Sequence, residues 1–162
     1  MRTARRAMMG AALTAALHLS CASPPESLPA VDSTPVPQNP QDPDIRRVLD
    51  SYFASWSAGD MATYRSLFHD KAVIVATAGG IAVYSLGVDE FVRMQEKAQA
   101  ARIRTERMTS LEVRGDSMAA VARVEWLLTG GPREMRGVDL FTLMRDHAGA
   151  WRITHLLFYG TD

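Results

Sequence analysis

From position 43 onward the chain shows two kinds of spacing between its apolar residues. Ile45, Val48, Leu49, Tyr52, Phe53 and Trp56 recur every three or four positions, the period of a helix that buries one face. Asp42 and Pro43 supply a cap and a first-turn proline for this helix, and Gly59 ends it. Asp60 opens a second, shorter helix whose apolar side carries Met61, Tyr64, Leu67 and Phe68. The stretch AVIVAT reads as a strand, Gly79 and Gly80 as a turn, and IAVYSL as the hairpin partner. A third helix over residues 88–101 presents Val88, Phe91, Met94 and Ala98 inward.

After that helix the pattern alternates. Three long strands are expected over residues 103–113, 118–129 and 135–145, and a last one over 151–159, joined at RGDS, TGGP and DHAG. Helices first and long antiparallel strands afterwards imply an α+β domain in which a strongly curved antiparallel sheet wraps N-terminal helices. The later strands are apolar on both faces, with Val138, Leu140 and Met144 on one and Phe141 and Leu143 on the other. One helix layer covers only one face, so the convex face is expected to meet a second copy in a homodimer.

The first forty-two residues follow neither pattern. A basic start with Arg2, Arg5 and Arg6 precedes an apolar run from Ala7 to Leu19, too short to span a bilayer, which reads as a secretory signal over residues 1–20. The chain's single cysteine, Cys21, stands where that signal ends. LHLSC resembles a bacterial lipobox, with His18 where an aliphatic residue is usual, and this makes Cys21 the expected lipidated first residue of the mature chain. The alternative is ordinary cleavage near SCA, which leaves a soluble exported protein. Seven of the eight prolines then fall between Pro24 and Pro43. Such a segment buries no core; residues 21–42 read as an extended tether able to reach about 60 Å at roughly 3 Å per residue. The expected location is the bacterial cell envelope, periplasm or outer membrane, with the lipid anchor as the only membrane contact. One domain remains, residues 43–162.

Charge narrows the partners. The 18 basic and 18 acidic residues balance, and removing Arg2, Arg5 and Arg6 leaves 15 against 18. A mildly acidic mature chain offers no footprint for nucleic acid, and its densest basic run, RIRTER, reads as a solvated strand face. His69 and Asp70, placed at the end of the second helix, and His147, in a polar turn, have no further ligands at metal spacing. There is no phosphate-binding glycine loop and no nucleophile elbow, so neither a metal nor a cofactor is expected.

The pieces YFASWSAGD, LFHDKAVIVA, RVEW, GVDLFTLMR and WRI, in that order, resemble the nuclear transport factor 2-like superfamily, especially its ketosteroid isomerase-like and SnoaL-like branches. The resemblance implies a cone-shaped, cystatin-like roll with a cavity between the helices and the concave sheet. It matches Tyr52, seven residues before Gly59, to the isomerases' substrate-binding tyrosine, with Trp56 one turn later beside it. It puts Ala76 where those enzymes carry their general base, and Thr142 where they carry a protonated aspartate. It also turns Val124 and Trp126 inward. By strand alternation Leu140 and Thr142 then face the cavity and Asp139 and Phe141 face away; Leu156 and Phe158 lie inside, Ile153 and His155 outside. A one-residue slip or a bulge would instead bring His155 and Asp139 in as a base and its orienting carboxylate.

Three functional readings follow. The first is a domain that binds a small apolar or amphipathic ligand without chemistry, through Tyr52, Trp56, Val124, Trp126, Leu140, Thr142, Leu156 and Phe158. The second is a SnoaL-like isomerase, cyclase or dehydratase using Tyr52 with either Thr142 or a His155–Asp139 pair. The third is a dimeric assembly module with no ligand. Inward polar groups favour the enzyme, a closed apolar cavity the binder, and a cavity filled by the protein's own side chains the module.

Overall fold

A computed structural model describes residues 43–78 and 81–161. The expected signal segment, the lipidation candidate Cys21, the tether and the capping Asp42 lie outside the described residues.

Among the described residues nine elements follow one another: α1 (Pro43–Ala58), α2 (Met61–Ser66), β1 (Phe68–Ala78), β2 (Ile81–Gly87), α3 (Val88–Ala101), β3 (Thr105–Gly115), β4 (Ala119–Thr129), β5 (Met135–Arg145) and β6 (Trp151–Gly160). This is the α+β roll expected, a curved, unclosed six-stranded sheet against N-terminal helices. Helix α1 stops at Gly59, whose φ of 73° is left-handed. There the Asp60 N–H donates to Ser55 O at 2.9 Å and the Gly59 N–H to Trp56 O at 3.0 Å, satisfying two terminal carbonyls. Asp60 then caps α2 by accepting from the Thr63 N–H at 3.0 Å.

Helix α2 has only six residues, and His69 and Asp70 belong to β1 rather than to a helix end. The cause is tertiary: the Ile153 N–H donates to Leu67 O at 2.9 Å, and Phe68 pairs with Ile153, so the last strand draws this segment into the sheet.

The strand order is β2-β1-β6-β5-β4-β3. The neighbours pair antiparallel except β1 and β6, which run parallel with Ile74 beside Leu156. The helices pack aromatic side chains onto the concave face. Tyr52 meets Phe53 and Phe141 edge-on, each at 5.0 Å, and Tyr64 at 4.9 Å. Such pairs each add about 0.5–1.5 kcal/mol beyond the area they bury.

Strand facing departs from expectation in two places. In β4, Ala120, Ala122, Val124, Trp126 and Leu128 are buried in alternation, as expected. Strand β5 pairs with it so that Gly137 lies beside Trp126, Asp139 beside Val124 and Phe141 beside Ala122. Directly paired residues share a face, so Asp139 and Phe141 point inward. Leu140 and Thr142, expected in the cavity, lie on the convex side instead, where Thr142 pairs with Val121, 54% exposed. In β6 the pairing jumps from Thr142↔His155 to Leu143↔Ile153, which makes Thr154 the extra residue of a bulge. The bulge resets the alternation, and Ile153, expected outside, is fully buried together with Leu156.

Phe141 therefore belongs to the core and not to a subunit interface. Losing its ring alone should cost about 3–5 kcal/mol. Phe141→Glu, which also buries a charge, should abolish the cooperative thermal transition seen by circular dichroism. A variant that melts normally and changes only its association would return Phe141 to an interface.

Candidate functional site

A cavity of about 380 Å³ opens between the helices and the concave sheet. Its walls are largely aromatic: Tyr52 and Trp56 from α1, Tyr64 from α2, Tyr84 from β2, Phe91 from α3, Trp126 from β4 and Phe158 from β6. Polar groups enter at fewer points, chiefly Gln95 from α3, Arg104 just before β3, Glu106 in β3 and Asp139 in β5.

Asp139 is only 2% exposed. Its Oδ1 accepts from Trp126 Nε1 at 2.7 Å, and the Tyr52 hydroxyl donates to the same carboxyl. Gly137 makes the first bond possible. A Cβ there would stand 2.1 Å from Trp126 Cζ2 and 2.3 Å from Tyr159 O, so only glycine lets the indole lie flat across β5 and reach Asp139. Burial pushes the Asp139 carboxyl up to about 7 against the pull of those two donors. Burial also pushes the Tyr52 and Tyr64 hydroxyls well above their ordinary range. Both tyrosines thus stay protonated.

A second polar corner is built from α1, α3 and the start of β3. Gln99, itself buried, donates from Nε2 to Trp56 O at 2.8 Å and to Arg104 O at 3.1 Å, and accepts from the Arg104 N–H at 3.1 Å. Ser57 Oγ accepts from the Glu106 N–H at 2.9 Å and donates to Glu106 O at 3.0 Å. The backbone at 104 and 106 is thus clamped to both long helices. The Arg104 guanidinium lies 5.5 Å from the centre of the Trp56 ring, whose Nε1 donates to Gln95 Oε1 at 2.9 Å. The Glu106 carboxyl is pushed well above the usual range by burial and then by the nearby Asp139 charge, with Arg104 pulling the other way.

Of the residues expected at the site, Tyr52, Trp56, Trp126 and Phe158 line the cavity. Val124 and Leu156 face the same side but are packed into the core. Leu140 and Thr142 are on the opposite face. Asp139 and His155 separate: the bulge at Thr154 leaves His155 exposed beside Thr142, while Asp139 turns in. The base-position residue Ala76 is buried in the core face of β1. Sequence reasoning missed Arg104 and Glu106 because they sit inside RIRTER, read as a solvated face. The available signal was their phase, since Glu106 and Met108 lie two apart and pair with inward-facing Leu128 and Trp126. Among the described residues no cluster of three or more metal-ligating side chains occurs.

The family model described as "putative lumazine-binding" matches residues 40–159. Among solved structures, the chain is similar to a nuclear transport factor 2-like superfamily protein from Salmonella enterica serovar Typhimurium. The two share 16% identity, the match covers 74% of this chain and 90% of that one, and the TM-score is 0.63. It is similar also to a "putative ketosteroid isomerase" from Shewanella frigidimarina, at 19% identity, 72% and 95% coverage and a TM-score of 0.59. A cystatin-like-fold protein from Nostoc punctiforme superposes with a TM-score of 0.62 at 9% identity, over 72% and 88% of the two chains. These likenesses carry the fold. No curated protein sequence matches the chain.

The Asp139 carboxyl holds its proton more tightly folded than unfolded. Its contribution to stability is complete below the ordinary aspartate value of 3.8 and is lost as the pH rises through about 7. Asp60, Asp116 and Asp146 act on the acid side of that window, because bonds accepted from Thr63, Ala119 and Ala150 hold them below the ordinary value. The melting temperature should therefore fall between about pH 4.5 and pH 8, and Asp139→Asn should flatten that fall. An unchanged pH profile in Asp139→Asn would contradict the buried placement.

Proposed function

The chain belongs to the family described as "putative lumazine-binding", and from that membership we propose that the domain takes up a small, flat ligand with an apolar body and a polar edge. The observation that carries this is the unfilled cavity of about 380 Å³, aromatic on most sides with polar groups at a few fixed points. Its volume lies in the range of roughly 300–1,000 Å³ usual for small-molecule sites. A pure assembly module would gain nothing from leaving that space open, since packed interiors hold few voids larger than a water. The family's description makes lumazine a suitable probe.

Binding without catalysis is the leading reading. Asp139 already accepts from Trp126 and Tyr52, and the carboxylate that the isomerases use as base has no counterpart at Ala76. A second reading, an isomerase, cyclase or dehydratase, is favoured by one observation: Asp139, pushed up to about 7, can hold or release a proton near neutral pH beside Tyr52. His155 and Thr142 take no part in it, since both lie on the convex side.

Export, lipidation at Cys21 and a homodimer through the convex face belong to the same proposal. The dimer is supported by Val73, Val121 and Met144, which are 42%, 54% and 48% exposed on that face. Phe141 has no place in that interface. Native mass spectrometry of the protein taken from its own envelope should show a lipid-modified dimer with a bound small molecule. Unmodified monomers that begin beyond Cys21 would contradict all but the cavity.

Lumazine titrated into the purified chain should quench tryptophan fluorescence through Trp56 and Trp126. Ala98 borders the cavity, and Ala98→Trp should weaken uptake about tenfold or more by filling it, with the melting curve retained. Equal uptake by the filled variant would place binding elsewhere.

A further inference from the structure

Most polar groups that line the cavity are already engaged by the fold. Asp139 accepts from Trp126 and Tyr52, and Gln95 accepts from Trp56. Glu106 is the exception. Ser57 fastens its backbone N–H and carbonyl, yet among the described residues its carboxyl takes part in no hydrogen bond and no ion pair. Arg104 Nε is the single fully enclosed side-chain polar atom without a partner among those residues, so the Glu106 oxygens, which also lack one, keep accessible surface. That surface faces the cavity, because Glu106 pairs with inward-turned Leu128 and is half-buried in the cavity wall.

The charge of the lining points the same way. Two carboxyls, Asp139 and Glu106, stand against one guanidinium, Arg104. Arg104 is laid against the Trp56 ring, 5.5 Å from its centre, and Asp139 pushes the Glu106 carboxyl up more than Arg104 pulls it down. The remaining walls include Tyr52, Trp56, Tyr84, Phe91, Trp126 and Phe158. The faces of such rings attract cations, and an acidic lining short of counter-charge is relieved by a proton or by a cation.

We propose that the cavity takes an organic cation, a protonated amine on an apolar body, and that Glu106 selects it by accepting the ammonium N–H while the rings enclose the rest. This rests on the cavity being a ligand site and names the chemistry of the ligand's polar edge. A neutral alcohol of the same shape fills the space and leaves the carboxylates uncompensated. An anion adds a third negative charge to the lining.

Glu106 shares the cavity with Asp139 from β5, Arg104 just before β3, Tyr52 from α1, Tyr64 from α2, Tyr84 from β2 and Tyr159 from β6; α3 contributes the neutral Gln95. Tyrosines keep their protons near neutral pH, so the two carboxyls are the groups that titrate there. A cation favours the charged carboxylate. Amine binding is therefore strong above the raised range of these carboxyls and is lost as the pH falls below it.

Titration of 2-phenylethylamine and 2-phenylethanol into the unmodified full chain, followed by tryptophan fluorescence, tests the proposal. The two probes have one shape, and the amine stays charged from about pH 5 to about pH 8. At about pH 8 the amine should bind about tenfold tighter or more than the alcohol, and by about pH 5 that advantage should be gone. Glu106→Gln keeps the side-chain shape and the Ser57 bonds, and it should bring the preference at about pH 8 to within about threefold. If Glu106→Gln does not fold, the two probes on the unmodified chain decide alone. Full preference in Glu106→Gln would overturn the role of Glu106. Equal affinity for the two probes at about pH 8, or tighter binding of the alcohol, would overturn the cation and leave the cavity as a ligand site. Uptake of neither would overturn both.

Discussion

The hydrogen bond from Trp126 Nε1 to Asp139 Oδ1, 2.7 Å long and buried, is the constraint around which the sheet is organised. A carboxylate with 2% exposure is tolerable only if its oxygens find donors. One donor comes across the β4–β5 ladder and the other, Tyr52, comes down from α1. The same carboxyl therefore fixes the register of two strands and the seating of a helix. Moving β5 by one residue would carry Asp139 to the far face and strand the Trp126 indole. Gly137 is the steric condition for the arrangement, since any Cβ there would occupy the space of the indole.

The rest of the concave face adjusts to that register. With Asp139, Phe141 and Leu143 inward on β5, β6 has to present Trp151 and Ile153 at one end and Leu156 and Phe158 at the other, which strict alternation forbids. The bulge at Thr154 resolves the conflict, and the Thr154 hydroxyl donates to Thr142 O at 3.1 Å, tying down the extra residue. Its consequence for function is a separation: the strand's histidine leaves the cavity while the neighbouring strand's aspartate enters. The cavity floor is then acidic, with Asp139 and Glu106 each raised by burial and balanced on one wall by Arg104.

Much of the fold was legible because long periodic segments override local ambiguity. The i, i+3, i+4 run of α1 and the alternation in β4 lead directly to Tyr52, Trp56 and Trp126. The facing of β5 was not legible in the same way. Its two sets, Gly137, Asp139, Phe141 and Leu143 against Val138, Leu140, Thr142 and Met144, differ little in apolar content, so family registration outweighed the hairpin pairing that in fact decides. A glycine facing a tryptophan, with an acid two residues on, was the discriminating detail. In β6 the sequence held a phase break between Ile153 and Leu156 that only a bulge could satisfy. Arg104 and Glu106 escaped notice for a different reason. Charged residues on a strand are ordinarily solvated, and their burial depends on the helix ends that Gln99 and Ser57 fasten above them, which no strand pattern records.

Solvent exchange of the Trp126 indole proton, followed by nitrogen-edited nuclear magnetic resonance across pH, tests this organisation most directly. The expected proton exchanges slowly, and its resonance shifts as the pH passes about 7, where its acceptor Asp139 changes charge. An indole proton that exchanges as fast as an exposed one, with no shift across that range, would mean that Asp139 does not face Trp126 and that the sheet is set in the other register.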